Sequence, residues 1–363
     1  MNEDPHNYFM ALALKLASKG SEQTKPNPKV GALLVKDGEI VGKGYHAKAG
    51  DNHAEVIAIK EAGLRANGAS LYITLEPCSH HGKTPPCVDL IIQSGVREVV
   101  VACKDPNPHV NGGGLELLKT HNIKVIEDIL SSQATELNKG FFSRMSNGRP
   151  YIRSKIATSI DGKTSLKEGD SKWITSDFAR KDVQQWRKNA CAIITGVNTI
   201  NKDNPQLNVR LNETNHQPYR VILDTHLSIN LHAKILKQQK IILAYGDDPD
   251  GKLDTLHKIN IHCLQLPIYK NFIDLNRLIR ELTNLECNDI LVESGPTLNG
   301  HLLKQNLIDE LILYMAPIIM GGEANPIFNN PVLNSMQEKI KLEQKDARYF
   351  GDNLRLIMKV LQD

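Results

Sequence analysis

One set of histidine, glutamate and cysteine residues between positions 53 and 87 constrains the fold of this chain more than any other feature. His53-Ala54-Glu55 opens the set, Glu76-Pro77-Cys78 follows, and Cys87 closes it. One imidazole and two thiolates suit Zn²⁺, and three protein ligands leave the fourth position of a tetrahedral site open for water. The sequence therefore predicts a fold that brings His53, Cys78 and Cys87 together around zinc.

The segments that carry these residues have suitable periodicities. Residues 71–76 are mostly apolar and rich in β-favouring side chains, which indicates a buried strand that ends at Pro77. Helical patterns begin at His53 and at Cys87. Both ligands would then lie at helix N-termini, where the helix dipole favours a thiolate over a thiol. Glu55, two residues after His53, would face a water on the metal rather than the metal itself.

The order of these residues is the signature of the zinc deaminases. In such a site the metal lowers the pKa of its water, and Glu55 would carry the proton to the departing amine. The signature has two residues between its cysteines, whereas eight, Ser79–Pro86, separate Cys78 from Cys87 here. That insertion contains His80 and His81, either of which could be a zinc ligand instead. A further alternative is two structural cysteines beside a surface glutamate.

The eleven residues Pro77-Cys-Ser-His-His-Gly-Lys-Thr-Pro-Pro-Cys87 resemble the deaminase half of the bifunctional riboflavin-biosynthesis deaminase/reductases. The resemblance covers nearly the whole chain. Its further motifs are Lys25-Pro-Asn-Pro28, Gly44-Tyr-His46, Lys104-Asp-Pro-Asn107, Ser154-Lys-Ile-Ala-Thr-Ser-Ile-Asp-Gly162, Trp173-Ile-Thr175, the segment from Thr199 to Arg210, and Glu293-Ser-Gly-Pro-Thr297. The resemblance implies an α/β chain: an N-terminal cytidine-deaminase-like three-layer α/β/α domain, then a dihydrofolate-reductase-like α/β domain.

The same resemblance implies two reactions, two cofactors and small-molecule partners. Zinc-dependent deamination of 2,5-diamino-6-ribosylamino-4(3H)-pyrimidinone 5′-phosphate would come first. NADPH would then reduce the ribosyl group of 5-amino-6-(5-phosphoribosylamino)uracil to a ribityl group. Both partners would be phosphorylated pyrimidines, and the expected assembly is a homo-oligomer, a dimer or a tetramer.

Individual site residues follow from matching the motifs. The catalytic residue would be Glu55. Deaminase substrate positions are Asn27, His46, Lys83, Asp105 and Asn107. Cofactor positions in the second half are Ala157, Trp173, Thr199, Asp203, Thr225, Gly295, Pro296, Thr297, Leu298, Asn299, Gly300 and His301. Reductase substrate positions are Lys155, Ser171, Arg187, Leu207, Arg210 and Glu293.

Several of these residues have simpler explanations. His46 could be a hydrogen-bonded structural histidine, Lys83 a solvated loop charge, and Trp173 a core residue. Arg187 could lie on the solvated face of a helix over residues 175–189. The Val292–Gly300 segment could be an ordinary strand–turn–helix junction, although such a junction also directs free N–H groups at a phosphate. No G-x-G-x-x-G is present, which disfavours an ordinary Rossmann domain.

The chain divides into a deaminase domain over 1–146 and a reductase domain over 150–363. The expected boundary is a short polar linker over 143–150, punctuated by glycine and proline. Before it we expect helices at 5–19, 53–66 and 87–93, another after the glycines at 112–114, a hairpin around 30–45, and strands at 71–76, 97–102 and 123–127. Beyond it we expect strands at 151–159, 190–195, 220–223, 240–244, 259–264, 289–292 and 311–319, with helices at 175–189, 273–284 and 297–305, and a final strand pair over 340–360.

Composition excludes some partners. A formal charge of +3 over 363 residues and an aromatic content of 5% do not suit a nucleic-acid or membrane surface. Six dispersed cysteines and the lack of a signal segment suggest a cytoplasmic protein with reduced thiols. Two alternatives stay open: a nucleoside or nucleic-acid deaminase with an unrelated second domain, and a C-terminal half that assembles or regulates without catalysis.

Overall fold

The computed structural model describes residues 4–79, 86–108, 110, 112–168, 174–212, 214, 216–329 and 333–361. The chain folds into two compact units, Met1–Gly148 and Arg149–Asp363. We refer to them as the first unit and the second unit. Within the described ranges, no helix is both long enough and apolar enough to span a membrane.

The first unit is a sheet covered by helices on both faces. Its strands are β1 (Gly31–Lys36), β2 (Glu39–Tyr45), β3 (Ser70–Ile73), β4 (Glu98–Val101) and β5 (Lys124–Ile126). Its α-helices are α1 (Pro5–Ala17), α2 (Ala54–Ala62), α3 (Cys87–Gln93), α4 (Gly113–Thr120), α5 (Ser131–Leu137) and α6 (Lys139–Asn147), with 3₁₀ turns at Glu22–Thr24 and Gly63–Ala66. The strand order is β2-β1-β3-β4-β5, with β1 antiparallel to β2 and β3, and β3, β4 and β5 parallel.

Alternation along β1 divides the core of this unit into two layers. Ala32 and Leu34 pack with the buried faces of α2, α3 and α4. Leu33 and Val35 pack on the other side, with residues of α1 and α6. Successive side chains of a strand point to opposite faces, so one strand supplies both layers. The predicted three-layer α/β/α arrangement is confirmed.

Small residues set the close approach of α2 to the sheet. The hairpin turns at Asp37 and Gly38, both with positive φ (51° and 82°), as its Asp-Gly sequence predicts. On β2, a Cβ added at Gly44 would lie 2.2 Å from the carbonyl oxygen of Ala54, at the start of α2. This glycine therefore allows the N-terminus of α2, where His53 and Glu55 lie, to rest directly on the sheet.

The second unit is built on one large sheet. The strands of the second unit, in that sheet and outside it, are β6 (Tyr151–Ser159), β7 (Lys163–Ser165), β8 (Ala192–Gly196), β9 (Tyr219–Leu223), β10 (Ile241–Tyr245), β11 (His262–Gln265), β12 (Ile268–Tyr269), β13 (Phe272–Ile273), β14 (Asp289–Val292), β15 (Glu310–Ala316), β16 (Asn325–Pro326), β17 (Leu342–Phe350) and β18 (Asn353–Val360). Its helices are α7 (Asp177–Asn189), α8 (Val197–Asp203), α9 (Leu253–Lys258), α10 (Leu275–Asn284) and α11 (Pro296–Lys304), with 3₁₀ turns at Lys234–Lys237 and Met336–Glu338.

The topology of this sheet creates a crevice. The strand order is β11-β10-β9-β8-β14-β6-β15-β18-β17. The first seven strands in this order run parallel to one another. Strand β18 pairs antiparallel with β15, and β17 pairs antiparallel with β18. After β6, the chain forms β8, β9, β10 and β11 successively further from β6 on one side. It then returns to β14 beside β6 and passes through α11 to β15 on the other side of β6. Ligands of open α/β sheets bind at the carboxyl ends of the strands where the winding direction changes.

Most predicted elements are confirmed, and two differ. The predicted linker over 143–150 is wrong in part, because α6 continues to Asn147 and ends at Gly148, whose φ of 66° suits a C-terminal cap. Buried Phe141 and Ser143 hold this helix to the first unit. Helices α5, α6, α8 and α9, the short strands β7 and β16, and the β12–β13 hairpin were not predicted. The predicted strand over 259–264 is shorter and later, since Ile259 caps α9.

Candidate active sites

The structure brings the three predicted metal ligands of the first unit together. His53 is the N-cap of α2, Cys87 is the first residue of α3, and Cys78 follows β3. Their ligand atoms all lie within 4.8 Å of one another. His53 Nδ1 lies 3.1 Å from Cys87 Sγ and 3.7 Å from Cys78 Sγ. These three side chains could hold one metal ion, and the two helix N-termini are as predicted.

The two thiols share a proton in a way that suits metal binding. A hydrogen bond from the Cys87 thiol lowers the pKa of Cys78 to about 4, and the same bond raises the pKa of Cys87. The backbone N–H of Cys87 also donates to Cys78 Sγ at 3.4 Å. The hydrogen bond with Cys78 raises the pKa of His53. The cluster therefore favours the thiolate at Cys78, which is the form that binds a divalent cation.

Glu55 is a buried carboxylate beside this cluster. Its side chain lies in the first turn of α2 and is 3% exposed. Burial raises its pKa. Within the described residues, its Oε2 atom has no hydrogen-bond partner. A buried polar atom without a partner is costly, so a bound water or substrate group is the expected partner of Oε2.

Asn27 and His46 form a polar wall next to the metal ligands. Asn27 Nδ2 lies 3.2 Å from His46 Nε2, and His46 Nδ1 lies 3.3 Å from the carbonyl oxygen of Asn52. The His46 ring meets the His53 ring edge to face, with centroids 5.4 Å apart. Burial lowers the pKa of His46. His46 is thus both a hydrogen-bonded histidine and a neighbour of the metal cluster.

Asp105 and Asn107 form a turn on another side of the cluster. The Asp105 carboxylate accepts a 2.8 Å hydrogen bond from the backbone N–H of Asn107. Burial raises the pKa of Asp105 to about 6. The roles of Asn27, His46, Asp105 and Asn107 as substrate contacts stay predictions. Lys83, His80 and His81 lie outside the described residues.

Glu76 has a structural role that the sequence did not indicate. It is buried between β3 and Cys78, and its carboxylate accepts hydrogen bonds from four backbone N–H groups. The donors are those of Asp105, Gly112, Gly114 and Leu115, at 3.2, 2.9, 3.0 and 3.4 Å. Glu76 therefore ties the Asp105 turn and the N-terminus of α4 to the strand end that presents Cys78.

The second unit has a large cavity at the crevice predicted by its topology. Its volume is about 1030 Å³, near the upper end of the range for small-molecule sites. Predicted cofactor and substrate positions that line it are Lys155, Ala157, Arg187, Thr199, Asp203, Leu207, Arg210, Thr225, Glu293, Gly295, Pro296, Thr297, Leu298 and His301. Ser171 and Trp173 lie outside the described residues. A cavity of this size can hold a dinucleotide and a second ligand.

Arg187, Glu293 and Lys155 form a largely buried ion cluster in the cavity wall, with side chains 12%, 9% and 19% exposed. Arg187 Nε and Nη2 bind the two carboxylate oxygens of Glu293 at 2.6 and 3.1 Å. Lys155 Nζ lies 3.7 Å from the same carboxylate. Burial alone would raise the pKa of Glu293, but the charges of Arg187 and Lys155 lower it to about 2. Arg187 is therefore not on a solvated helix face, and its fork is already engaged.

Arg210 differs from Arg187. Its side chain is exposed and lines the cavity, and it has no ion-pair partner in the part of the chain that the structure describes. Its backbone N–H donates to Gln184 Oε1 at 2.9 Å, which fixes the segment to α7. Leu207 is buried nearby in sequence with a φ of 50°, an uncommon conformation for leucine. The segment thus presents an unpaired guanidinium from a restrained backbone.

The turn before α11 is rigid. Gly295 is the N-cap, and the side chain of Asn299 accepts hydrogen bonds from the hydroxyls of Ser154 and Ser294 at 2.9 and 3.0 Å. Asn299 is buried and, like Gly300, is not part of the cavity lining. These two residues therefore support the turn, whereas Gly295 to Leu298 face the cavity.

Two family models match this chain. The RibD C-terminal domain matches residues 150–356, and the cytidine and deoxycytidylate deaminase zinc-binding region matches residues 3–103. The chain is 42% identical to the riboflavin biosynthesis protein RibD of Escherichia coli K12, over 96% of this chain and 98% of that protein.

The chain belongs to the RibD family.

Two solved structures agree with this membership. Acinetobacter baumannii RibD is 40% identical and covers 99% of both chains with a TM-score of 0.91. A Thermotoga maritima diaminohydroxyphosphoribosylaminopyrimidine deaminase/5-amino-6-(5-phosphoribosylamino)uracil reductase is 32% identical, covers 98% of this chain and 99% of that one, and has a TM-score of 0.87.

Membership confirms the central sequence predictions. The first unit is a cytidine-deaminase-like domain and the second is a dihydrofolate-reductase-like domain. The chain is a bifunctional enzyme of riboflavin biosynthesis, a hydrolase that deaminates and an oxidoreductase. The two domains imply zinc and a nicotinamide cofactor. The alternatives with an unrelated or non-catalytic C-terminal half are therefore wrong.

Proposed function

We propose that the first unit deaminates 2,5-diamino-6-ribosylamino-4(3H)-pyrimidinone 5′-phosphate, with deamination confined to residues 1–146. The observation that carries this proposal is the convergence of His53, Cys78 and Cys87 beside the buried Glu55, whose Oε2 atom has no hydrogen-bond partner among the described residues. These three side chains would hold zinc, which when bound supplies Lewis acidity for hydrolysis. The donor set of one imidazole and two thiols fits that metal.

The residues of this chain then divide the work of deamination. Glu55 would take a proton from the attacking water and give it to the leaving amine, because its raised pKa suits exchange in both directions. Asn27 and His46 would hydrogen-bond the edge of the pyrimidine ring, and Asp105 and Asn107 would do so from the other turn. Lys83 would meet the substrate phosphate.

For the second unit, we propose reduction of 5-amino-6-(5-phosphoribosylamino)uracil with NADPH, confined to residues 150–363. The nicotinamide supplies the hydride when it is bound. The turn at Gly295–Leu298 would bind the pyrophosphate, since free backbone N–H groups at the start of α11 attract anions. Ala157, Trp173, Thr199, Asp203, Thr225 and His301 would contact the rest of the cofactor, with Asn299 and Gly300 behind the turn.

The substrate of the second unit would lie at the ion cluster. Lys155 and Glu293 would contact the sugar, with Ser171 and Leu207 shaping its surroundings. Arg210 would bind the substrate phosphate, because its guanidinium is exposed to the cavity and has no ion-pair partner among the described residues. Arg187, which the sequence also predicted as a substrate position, would chiefly hold Glu293 in place, as its fork is occupied. Both reactions are proposed to take place in a homo-oligomer located in the cytoplasm.

The deciding experiment is incubation of the zinc-loaded enzyme with the diamino substrate. Ammonia release and NADPH oxidation are scored separately, and zinc is measured by elemental analysis. We expect ammonia without NADPH, NADPH oxidation only after deamination, and one zinc per chain. Cys78→Ser should remove the metal and deamination. Full zinc in that variant would place the metal elsewhere, with His80 and His81 as the next candidates.

A further inference from the structure

Among the described residues that line the cavity of the second unit, Phe272 and His301 are the aromatic ones. Their ring centroids lie 3.9 Å apart, with an angle of 43° between the ring planes. Phe272 is 41% exposed, so much of its ring is free to meet a ligand. An apolar ring that is kept exposed at a cavity wall is more readily explained by a ligand than by packing.

Phe272 is held by a short hairpin with a firm base. Strands β12 and β13 pair Ile268 with Ile273 and Tyr269 with Phe272. Ile273 is 4% exposed and belongs to the main apolar core. The hairpin also lies close to the end of β10, because a Cβ added at Gly246 would be 2.3 Å from Ile268 Cγ1. The Phe272 ring therefore has a fixed position at the carboxyl ends of the strands.

His301 brings this pair within reach of the proposed pyrophosphate site. It lies six residues after Gly295 on α11, which is about 9 Å along the axis at about 1.5 Å per residue. Burial, and then the charge of Lys304, lower the pKa of His301. The imidazole is therefore neutral at neutral pH, and an uncharged ring stacks well on another aromatic surface.

We propose that Phe272 and His301 form a stacking platform for the adenine ring of the nicotinamide dinucleotide, an inference that rests on the proposed use of NADPH by this cavity. The nicotinamide must lie where the sugar is reduced, near Lys155 and Glu293. The adenine is at the other end of the cofactor, one ribose beyond the pyrophosphate. An aromatic surface suits it because every base has a π-face.

The test uses a probe that contains the adenine end of the cofactor and lacks the nicotinamide. Binding of adenosine 2′,5′-bisphosphate to the zinc-loaded full-length enzyme is measured by isothermal titration calorimetry. Phe272→Ala should raise the Kd about tenfold, within the range that loss of base–aromatic stacking produces. Binding of nicotinamide mononucleotide and the KM of the phosphorylated substrate should stay within about twofold of the wild type.

Tyr269 provides a matched control on the same hairpin. It is the cross-strand partner of Phe272 and is 68% exposed, but it does not line the cavity. Tyr269→Ala should leave the Kd for adenosine 2′,5′-bisphosphate unchanged. Phe272→Tyr should bind like the wild type, and Phe272→Leu, which keeps an apolar side chain without a π-face, should fall in between. If the alanine variant fails to fold, the leucine and tyrosine variants decide.

Unchanged binding of adenosine 2′,5′-bisphosphate in Phe272→Ala, or an equal loss in Tyr269→Ala, would overturn the platform. A wild-type enzyme that does not bind this probe would also overturn it, even if NADPH is oxidised. Loss of binding in Phe272→Ala together with normal probe binding by the wild type supports the platform. If the wild-type enzyme binds the probe in this way but does not oxidise NADPH in the presence of the substrate, the proposed reduction is wrong while the platform stands.

Discussion

Glu55 and Glu293 are two buried carboxylates with opposite surroundings. Glu55 is 3% exposed, and its Oε2 atom has no partner among the described residues; Glu293 is 9% exposed and binds Arg187 through both oxygens. Burial raises the pKa of Glu55. Burial would do the same for Glu293, but two neighbouring cations lower its pKa to about 2.

The comparison separates proton transfer from positioning. A buried carboxylate whose pKa is raised takes up a proton more readily than an exposed one, which suits a general acid–base. A carboxylate paired with two cations stays ionised and fixes the geometry of its partners. The two sites of this chain therefore use a glutamate for different roles, and the residues around each glutamate determine its role.

The largest effect should come from Glu55→Gln, which keeps the shape of the side chain and removes its proton chemistry. Deamination should fall by about 10²–10⁴-fold, while zinc content and reduction of the deaminated intermediate stay normal. Ammonia release, elemental analysis and NADPH oxidation give the three measurements. Glu61→Gln, an exposed change on the same helix, should be neutral. A near-normal rate in Glu55→Gln would remove its proposed role.

Glu293→Gln should chiefly cost stability. It leaves Arg187 and Lys155 buried without a counter-charge, and losing one partner of a buried pair costs about 3–5 kcal/mol. Because glutamine keeps part of the hydrogen bonding, we expect a loss of about 3 kcal/mol in the unfolding of the second unit, measured by urea denaturation. Glu281→Gln, which breaks the exposed pair with Arg277, should change it by less than about 0.5 kcal/mol.

Arg210→Ala should weaken substrate binding. A hydrogen bond to a charged group is worth about 1.5–3 kcal/mol, so the KM for the phosphorylated substrate should rise about ten- to hundredfold. The KM for NADPH should hardly change. Arg210→Lys should recover part of the loss, because it keeps the charge and loses the fork. Steady-state titration of each ligand provides the measurement, and a loss confined to NADPH would mean that the two ligand assignments are exchanged.

The smallest effect should be the pH dependence that Glu293 imparts. Its pKa is about 2 in the folded state, against an ordinary value of 4.5. A lowered pKa contributes stability that is complete above pH 4.5 and disappears as the pH falls towards 2. Between pH 4.5 and 3 the second unit should lose about 2 kcal/mol through this group. The stability difference between the wild type and Glu293→Gln should shrink over the same interval, and a constant difference would contradict the pairing.

The metal site was predictable because its signals are local. His53, Cys78 and Cys87 lie within 35 positions, and the strand and two helices that present them have clear hydrophobic periodicity. The hairpin at Asp37-Gly38 was predictable for the same reason, since two residues determine the turn. The polar segment after Ser143 was wrongly predicted to be a linker, because its place in α6 depends on tertiary contacts of Phe141.

The second site was less predictable because its contacts are distant in sequence. Arg187 and Glu293 are 106 positions apart, and neither segment indicates that the other is its partner. Arg187 was therefore predicted as a substrate position or a residue on a solvated helix face, and not as the partner of Glu293. Phe272 shows the same limit, because the β12–β13 hairpin was not predicted and only the fold places the Phe272 ring on His301.

The four hydrogen bonds accepted by Glu76 have a consequence for the order of events during synthesis. Glu76 precedes Cys78 by two residues, yet its donors extend to Leu115. The strand end that presents this ligand is thus incomplete until a segment made much later has folded. We expect zinc uptake to follow the folding of the chain as far as α4, so that the metal binds elements that have already formed and does not nucleate them.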